Sequence, residues 1–127
     1  MTEPPDGIQL LPGNETVIAV VRGSGRCDAK DFIQGLEKRF QARFRRYFER
    51  LAAGLPVQSP QHIRRLSPSG TDPVVYELKT DKYRLYVIRS KQRWYVTHGR
   101  EKPKNSQVPA EVDKALAIYW EWNGDKP

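Results

Sequence analysis

Between residues 75 and 104 the chain concentrates side chains that can handle a phosphodiester: Glu77, Lys79, Arg84, Tyr86, His98, Arg100, Lys102 and Lys104. Arginine and lysine neutralise phosphates, and tyrosine rings stack on unpaired bases, which is how single-stranded RNA is usually held. The same types support cleavage without a metal. A base takes the proton of a ribose 2′-hydroxyl, cations stabilise the crowded phosphorane, and an acid protonates the departing 5′-oxygen. Glu77 or a lysine of depressed pKa suits the base, and His98, Lys102 and Tyr86 are further acid–base candidates. The competing reading of Glu77, Lys79 and Arg84 is an ordinary cross-strand charge cluster on a solvated sheet, and spacing alone leaves both open. Neither His98 nor His62 stands at metal-ligand spacing from a partner, so neither a metal nor another cofactor is expected.

These residues fall on elements that the sequence announces. Val74 to Thr80 and Tyr83 to Ser90 are strand-like runs separated by Asp81-Lys82, and Arg93 to His98 follows the polar turn Lys91-Gln92. Together they predict three antiparallel strands. Side chains alternate across a strand, so Tyr76 and Leu78 share one face while Val75, Glu77 and Lys79 share the other. In the next strand Tyr83, Leu85 and Val87 oppose Arg84, Tyr86 and Ile88. If helices cover the Leu78, Leu85 and Val87 side, then Glu77, Lys79, Arg84 and Tyr86 gather on the uncovered side, near the basic loop Gly99 to Lys104. By alternation His98 belongs with Trp94 and Val96, at a strand end where twist blurs the assignment.

Thr16 to Arg22 is a short β-branched run closed by Gly23-Ser24-Gly25, a first strand. Asp28 is expected to cap a helix reaching about Ala53, with Asp31 in its first turn and a break available at Gly35. Phe32, Leu36, Phe40, Phe44, Phe48 and Leu51 draw one apolar stripe along it. Lys38, Arg39, Arg43, Arg45, Arg46 and Arg50 line its other faces, either as a solvated surface or as a strip for phosphates. Gly54 and Pro56 end the helix, and the stretch to Pro73, containing His62, Arg64, Arg65 and Leu66, reads as a loop. Pro109 opens a last helix with Val112, Ala115, Leu116, Tyr119 and Trp120 on its buried stripe. The expected architecture is α+β: one domain over residues 16–123, after a flexible segment 1–15 and before a tail 124–127.

Composition sets the outer bounds. The 127 residues are enough for one core and too few for two ordinary domains. With 22 Lys+Arg against 15 Asp+Glu the net charge is +7, which favours a polyanionic partner or an acidic protein. Cys27 is the only cysteine, so no intrachain disulfide forms, and a reducing, cytoplasmic setting is expected. The start, with Glu3, Pro4, Pro5 and Asp6, lacks the pattern of a secretory signal, and no apolar run reaches spanning length. No membrane partner is expected.

The segment Val75-Tyr76-Glu77-Leu78-Lys79-Thr80-Asp81-Lys82-Tyr83-Arg84-Leu85-Tyr86-Val87 resembles the signature of the RelE/ParE toxin superfamily, a Glu-Leu-Arg/Lys strand, a turn and a Tyr-Arg-Leu/Val strand. His98-Gly99-Arg100-Glu101-Lys102-Pro103-Lys104, leading to Pro109-Ala110-Glu111 and Ala115, is similar to its HigB-like, phage-derived branch. With the order of elements, the resemblance spans roughly residues 16 to 122. It implies a small RelE-like fold with a mostly antiparallel sheet, packed against an N-terminal helix or helical hairpin and a C-terminal helix. It also implies a ribosome-dependent mRNA endonuclease, the toxin of a type II pair, silenced by a helix-turn-helix antitoxin. The ParE branch, which poisons DNA gyrase by contact, and a non-cleaving RNA-binding module of a phage or mobile element are the alternatives. By resemblance Arg84 binds the scissile phosphate and Lys79 with Arg100 or Lys102 surrounds it. Arg64, Arg65 and Lys104 would add RNA contacts, and Arg43, Arg46 and Arg50 would touch rRNA. The family often has a Tyr after its last basic loop, where this chain reads Ser106-Gln107-Val108-Pro109, which leaves the acid and base open. The proline-rich start is a second departure.

Overall fold

A computed structural model describes residues 7–57, 61–67 and 73–123. The elements follow as β1 (Ile8–Gln9), β2 (Val17–Ala19), α1 (Asp28–Gln34), α2 (Lys38–Ala52), β3 (Ile63–Arg65), β4 (Val74–Lys79), β5 (Tyr83–Ser90), β6 (Arg93–Glu101) and α3 (Val108–Asn123). The six strands form one sheet in the order β1-β2-β6-β5-β4-β3. Only β2 and β6 run parallel; every other pair is antiparallel. The chain is therefore α+β, as the alternation of β4, β5 and β6 implied. At the β5–β6 turn Lys91 and Gln92 both have positive φ, 52° and 68°, the left-handed pair that matches the twist of a two-residue hairpin.

The helix stripe does what its spacing predicts. Phe44, Phe48 and Leu51 of α2 are buried, with Tyr47 beside them, against Val17, Ala19, Leu78, Leu85, Val87 and Val96, while Phe40 is buried edge-on to the Tyr83 ring. Gly35 closes α1 and separates it from α2. Asp28 is not the cap: Cys27 holds that position without a side-chain hydrogen bond, and Asp28 enters the first turn, paired with Arg22 at 3.2 Å and Arg26 at 3.1 Å. Two arginines compete successfully for its carboxylate, and the dipole still favours an acid there.

Three expectations change. Within the supposed flexible segment, β1 pairs with β2 and Leu11 is buried in the core, because β2 needs a partner on its outer edge. Inside the expected loop, β3 pairs with β4 as the other edge strand. The tail 124–127 lies outside the described residues. Finally, the second sheet face is covered along half its length. Ala115, Ile118, Tyr119 and Trp122 of α3 pack on Val75, Tyr86, Ile88 and Tyr95, forming a second core. Trp122 is buried and Trp120 only partly so, which shifts the expected stripe. Only the end of this face beyond Tyr86 stays open. Among the described residues, no helix is long and apolar enough to cross a membrane.

Candidate nucleic-acid interface

The open end of the sheet is organised in two cross-strand rows. In the first, Lys79 of β4 lies opposite Arg84 of β5, which lies opposite Arg100 of β6. In the second, Arg64 of β3 is followed by Glu77, Tyr86 and His98. Like charges directly opposite each other on a sheet are unfavourable. Glu111 offsets this at Arg100 with an ion pair of 2.9 Å.

A cleft of about 170 Å³ opens over these rows, lined by Arg64, Glu77, Lys79, Arg84, Lys102, Pro103, Asn105 and Val108. The last three come from the basic loop, a 3-10 turn at Asn105–Gln107 and the start of α3. Glu77 is 2% exposed, and its Oε1 accepts from Arg64 Nη2 at 2.9 Å across the β3–β4 ladder. Arg84 is 7% exposed, and its Nη1 donates to the carbonyls of Thr80 and Tyr83, which fix the guanidinium at the end of β4. Burial, reinforced by the neighbouring Arg84, lowers the Lys79 ammonium pKa, while Glu77 opposes the shift.

Arg100 stands in the cation row, but its Nη1 donates to Glu111 Oε2 at 2.9 Å. The other Glu111 oxygen accepts from His98 Nε2 at 2.8 Å. Burial works against ionising Glu111, but the hydrogen bonds from His98 and Arg100 outweigh it and hold the carboxyl below the ordinary range. Burial also pushes the His98 imidazole down, and the Glu111 hydrogen bond only partly restores it. His98 is 2% exposed and stacks on Tyr86, ring centroids 4.8 Å apart. Thr97 Oγ1 lies 3.1 Å from the Tyr86 carbonyl and 3.2 Å from His98 Nδ1, and can donate to one of them at a time.

The structure thus brings together Glu77, Lys79, Arg84, Lys102 and Arg64. It separates the others. Tyr86 is fully buried under α3, so its ring is not available to a base, and burial drives its phenol pKa well up. His98 is on the Tyr86 side rather than with Val96, because an irregularity between Tyr86 and Val87 leaves Thr97 outside the regular pairing and reverses the alternation. Buried and committed to Glu111, it does not line the cleft. Arg65 pairs with Tyr76 and faces the opposite side of the sheet. Lys104 is exposed outside the cleft, and its backbone N–H donates to Gln107 Oε1 at 2.9 Å. Arg43, Arg46 and Arg50 line a separate groove with Tyr47, Pro56, Val57 and His62.

Glu111 is the residue that the sequence reading did not single out. Its only signal was an acid in the first turn of the last helix, a place the helix dipole explains without any partner. No protein-family model matches the chain, and no curated protein is significantly similar to it.

Proposed function

We propose that this protein binds single-stranded RNA in the cleft and cuts it without a metal, as an mRNA endonuclease acting on the ribosome. One observation carries the reading: Lys79, Arg84 and Lys102 line one cleft together with the ion pair of Glu77 and Arg64. The sequence resemblance to the HigB-like toxins supplies the ribosome, and with it a helix-turn-helix antitoxin that would silence the enzyme.

In this reading Arg84 and Lys102 hold the scissile phosphate, and the buried guanidinium needs no reorganisation to do so. Glu77 takes the proton from the ribose 2′-hydroxyl as that oxygen attacks phosphorus. The bond from phosphorus to the 5′-oxygen breaks, and Lys79, whose lowered pKa suits proton donation, protonates the leaving oxygen. The products are a 2′,3′-cyclic phosphate and a free 5′-hydroxyl. Arg64 orients Glu77 through their 2.9 Å ion pair.

Induction followed by mapping of mRNA 5′-ends tests this. Cuts in step with codons of translated messages are the expected result, with Glu77→Gln and Lys102→Gln each reducing cutting roughly 100-fold. Messages left intact by the wild-type protein would overturn it. A second reading, binding without cleavage, draws on the same ion pair, since a carboxylate held by Arg64 is a weaker base. It predicts RNA retention with intact messages and no change in retention for Glu77→Gln.

A further inference from the structure

A groove larger than the cleft, about 610 Å³, lies outside it, between α2 and Pro56, Val57 and His62. Arg43, Arg46 and Arg50 stand three and four residues apart on one helix face and are all exposed. Among the described residues none of the three is paired with a carboxylate, whereas Arg39 and Arg45 on the same helix are paired with Glu37 and Glu49. The arginines of the helix that lack a carboxylate partner are thus the ones that line the groove. His62 lines the same groove, half-buried, its ring stacked on Tyr47 at 5.5 Å and 29°. A flat ring backed by a second ring, beside three guanidinium groups, is the combination that holds single-stranded nucleic acid.

The groove and the cleft meet at one residue. Tyr47 Oη donates to the Lys79 carbonyl at 2.8 Å, and the Lys79 N–H donates to the His62 carbonyl at 2.8 Å, while the Lys79 side chain lines the cleft. The Tyr47 phenol feels both Arg43 and Arg84. Only the end of β4 therefore separates the two basic sites, which lie on opposite sides of the sheet's edge.

We propose that this groove is a second subsite for the RNA strand held in the cleft. The strand leaves the cleft over the His62–Lys79 edge, stacks one base on His62 and lays its next phosphates along Arg43, Arg46 and Arg50. The proposal rests on the cleft being an RNA site, and its test separates the two.

Fluorescence anisotropy with a labelled oligouridylate of about twelve nucleotides measures affinity against salt for the full chain. Replacing Arg43, Arg46 and Arg50 together by Gln removes three phosphate contacts. The slope of log affinity on log salt should fall by about 2, which at about 0.1 M salt corresponds to binding roughly 100-fold weaker. His62→Ala should weaken binding between about fivefold and about 100-fold, the range for one lost stacked base. All these residues are exposed or half-buried, and circular dichroism checks that the variants stay folded. Binding within twofold of wild type in both variants overturns the subsite, and is also the outcome if the groove seats an acidic protein. Weakening in the groove variants with none in Lys79→Gln/Lys102→Gln leaves the groove an RNA site and removes the cleft reading instead.

Discussion

Replacing Glu111 by Gln tests whether the triad of Arg100, Glu111 and the buried His98 holds α3 to the sheet. One carboxylate accepts from two donors, at 2.8 Å and 2.9 Å. Glutamine keeps one acceptor oxygen and turns an NH₂ towards the other donor. Arg100, about a third exposed, can turn to water, so its share of the loss is small. His98 is buried and cannot, so the cost is that of a hydrogen bond to a charged group, about 1.5–3 kcal/mol. Urea unfolding at pH 7 measures it. The pH dependence gives a second signature. Both pKa values are lower in the fold than their ordinary 6.5 and 4.5, so acid destabilises through both groups. The stability from Glu111 is fully present above 4.5 and is lost as pH falls through its lower folded value. Glutamine has no such titration, so the gap between wild type and variant should stay open down to about pH 5 and close below 4.5. It should widen slightly below 6.5, because His98 loses the partner that raised its pKa. A gap below about 0.5 kcal/mol at pH 7, or one that persists unchanged at pH 3, refutes the reasoning.

Gly99→Ala should cost about 1–3 kcal/mol in the same unfolding assay, because a Cβ there would lie 2.3 Å from a Phe32 ring carbon. A cost under about 0.5 kcal/mol would mean that the ring gives way freely. Tyr86→Phe should leave stability unchanged or slightly raised, since the buried hydroxyl has no hydrogen-bond partner among the described residues, and should leave oligonucleotide affinity untouched. Weaker RNA binding in that variant would return Tyr86 to the interface. Cys27 is buried and burial raises its thiol pKa, so iodoacetamide should alkylate it far more slowly in the folded protein than in urea at the same pH. Equal rates would show that the turn before α1 opens readily.

The parts of this fold that could be read in advance are those where periodicity runs long enough to be unambiguous. β4, β5 and the α2 stripe each repeat their pattern several times, and the turns between the strands carry polar residues where the chain reverses. The edge strands β1 and β3 are two and three residues long, too short for any period, and exist because their neighbours offer unpaired backbone. Parity puts Glu77, Lys79 and Arg84 on one face, but it cannot add Arg100, which joins the row only through the bulge at Thr97. Tyr86 is not legible either, because parity names a face but not what covers it. Its burial depends on α3 crossing back over that half of the sheet. Glu111 is harder still: its partners lie 13 and 11 residues earlier, across a turn and a change of element.

The site's charge depends on the bulge at Thr97. With unbroken alternation from Trp94, residues 98, 100 and 102 would point with Val96 towards α1, and Thr97, Gly99 and Glu101 would face the cleft side. The extra residue exchanges the two sets. Gly99 now falls on the α1 side, where its missing side chain lets Phe32 lie against the strand. Arg100 falls opposite Arg84, and Lys102 reaches the cleft. One inserted residue thus brings Arg100 in place of Gly99 opposite Arg84, in the row that would meet a phosphate, and turns His98 inwards to Glu111. The close packing of Gly99 and the cation row are therefore two consequences of one backbone irregularity. A side chain at Gly99 that pushes β6 away from Phe32 should weaken RNA binding as well as the fold, although residue 99 itself faces away from the cleft.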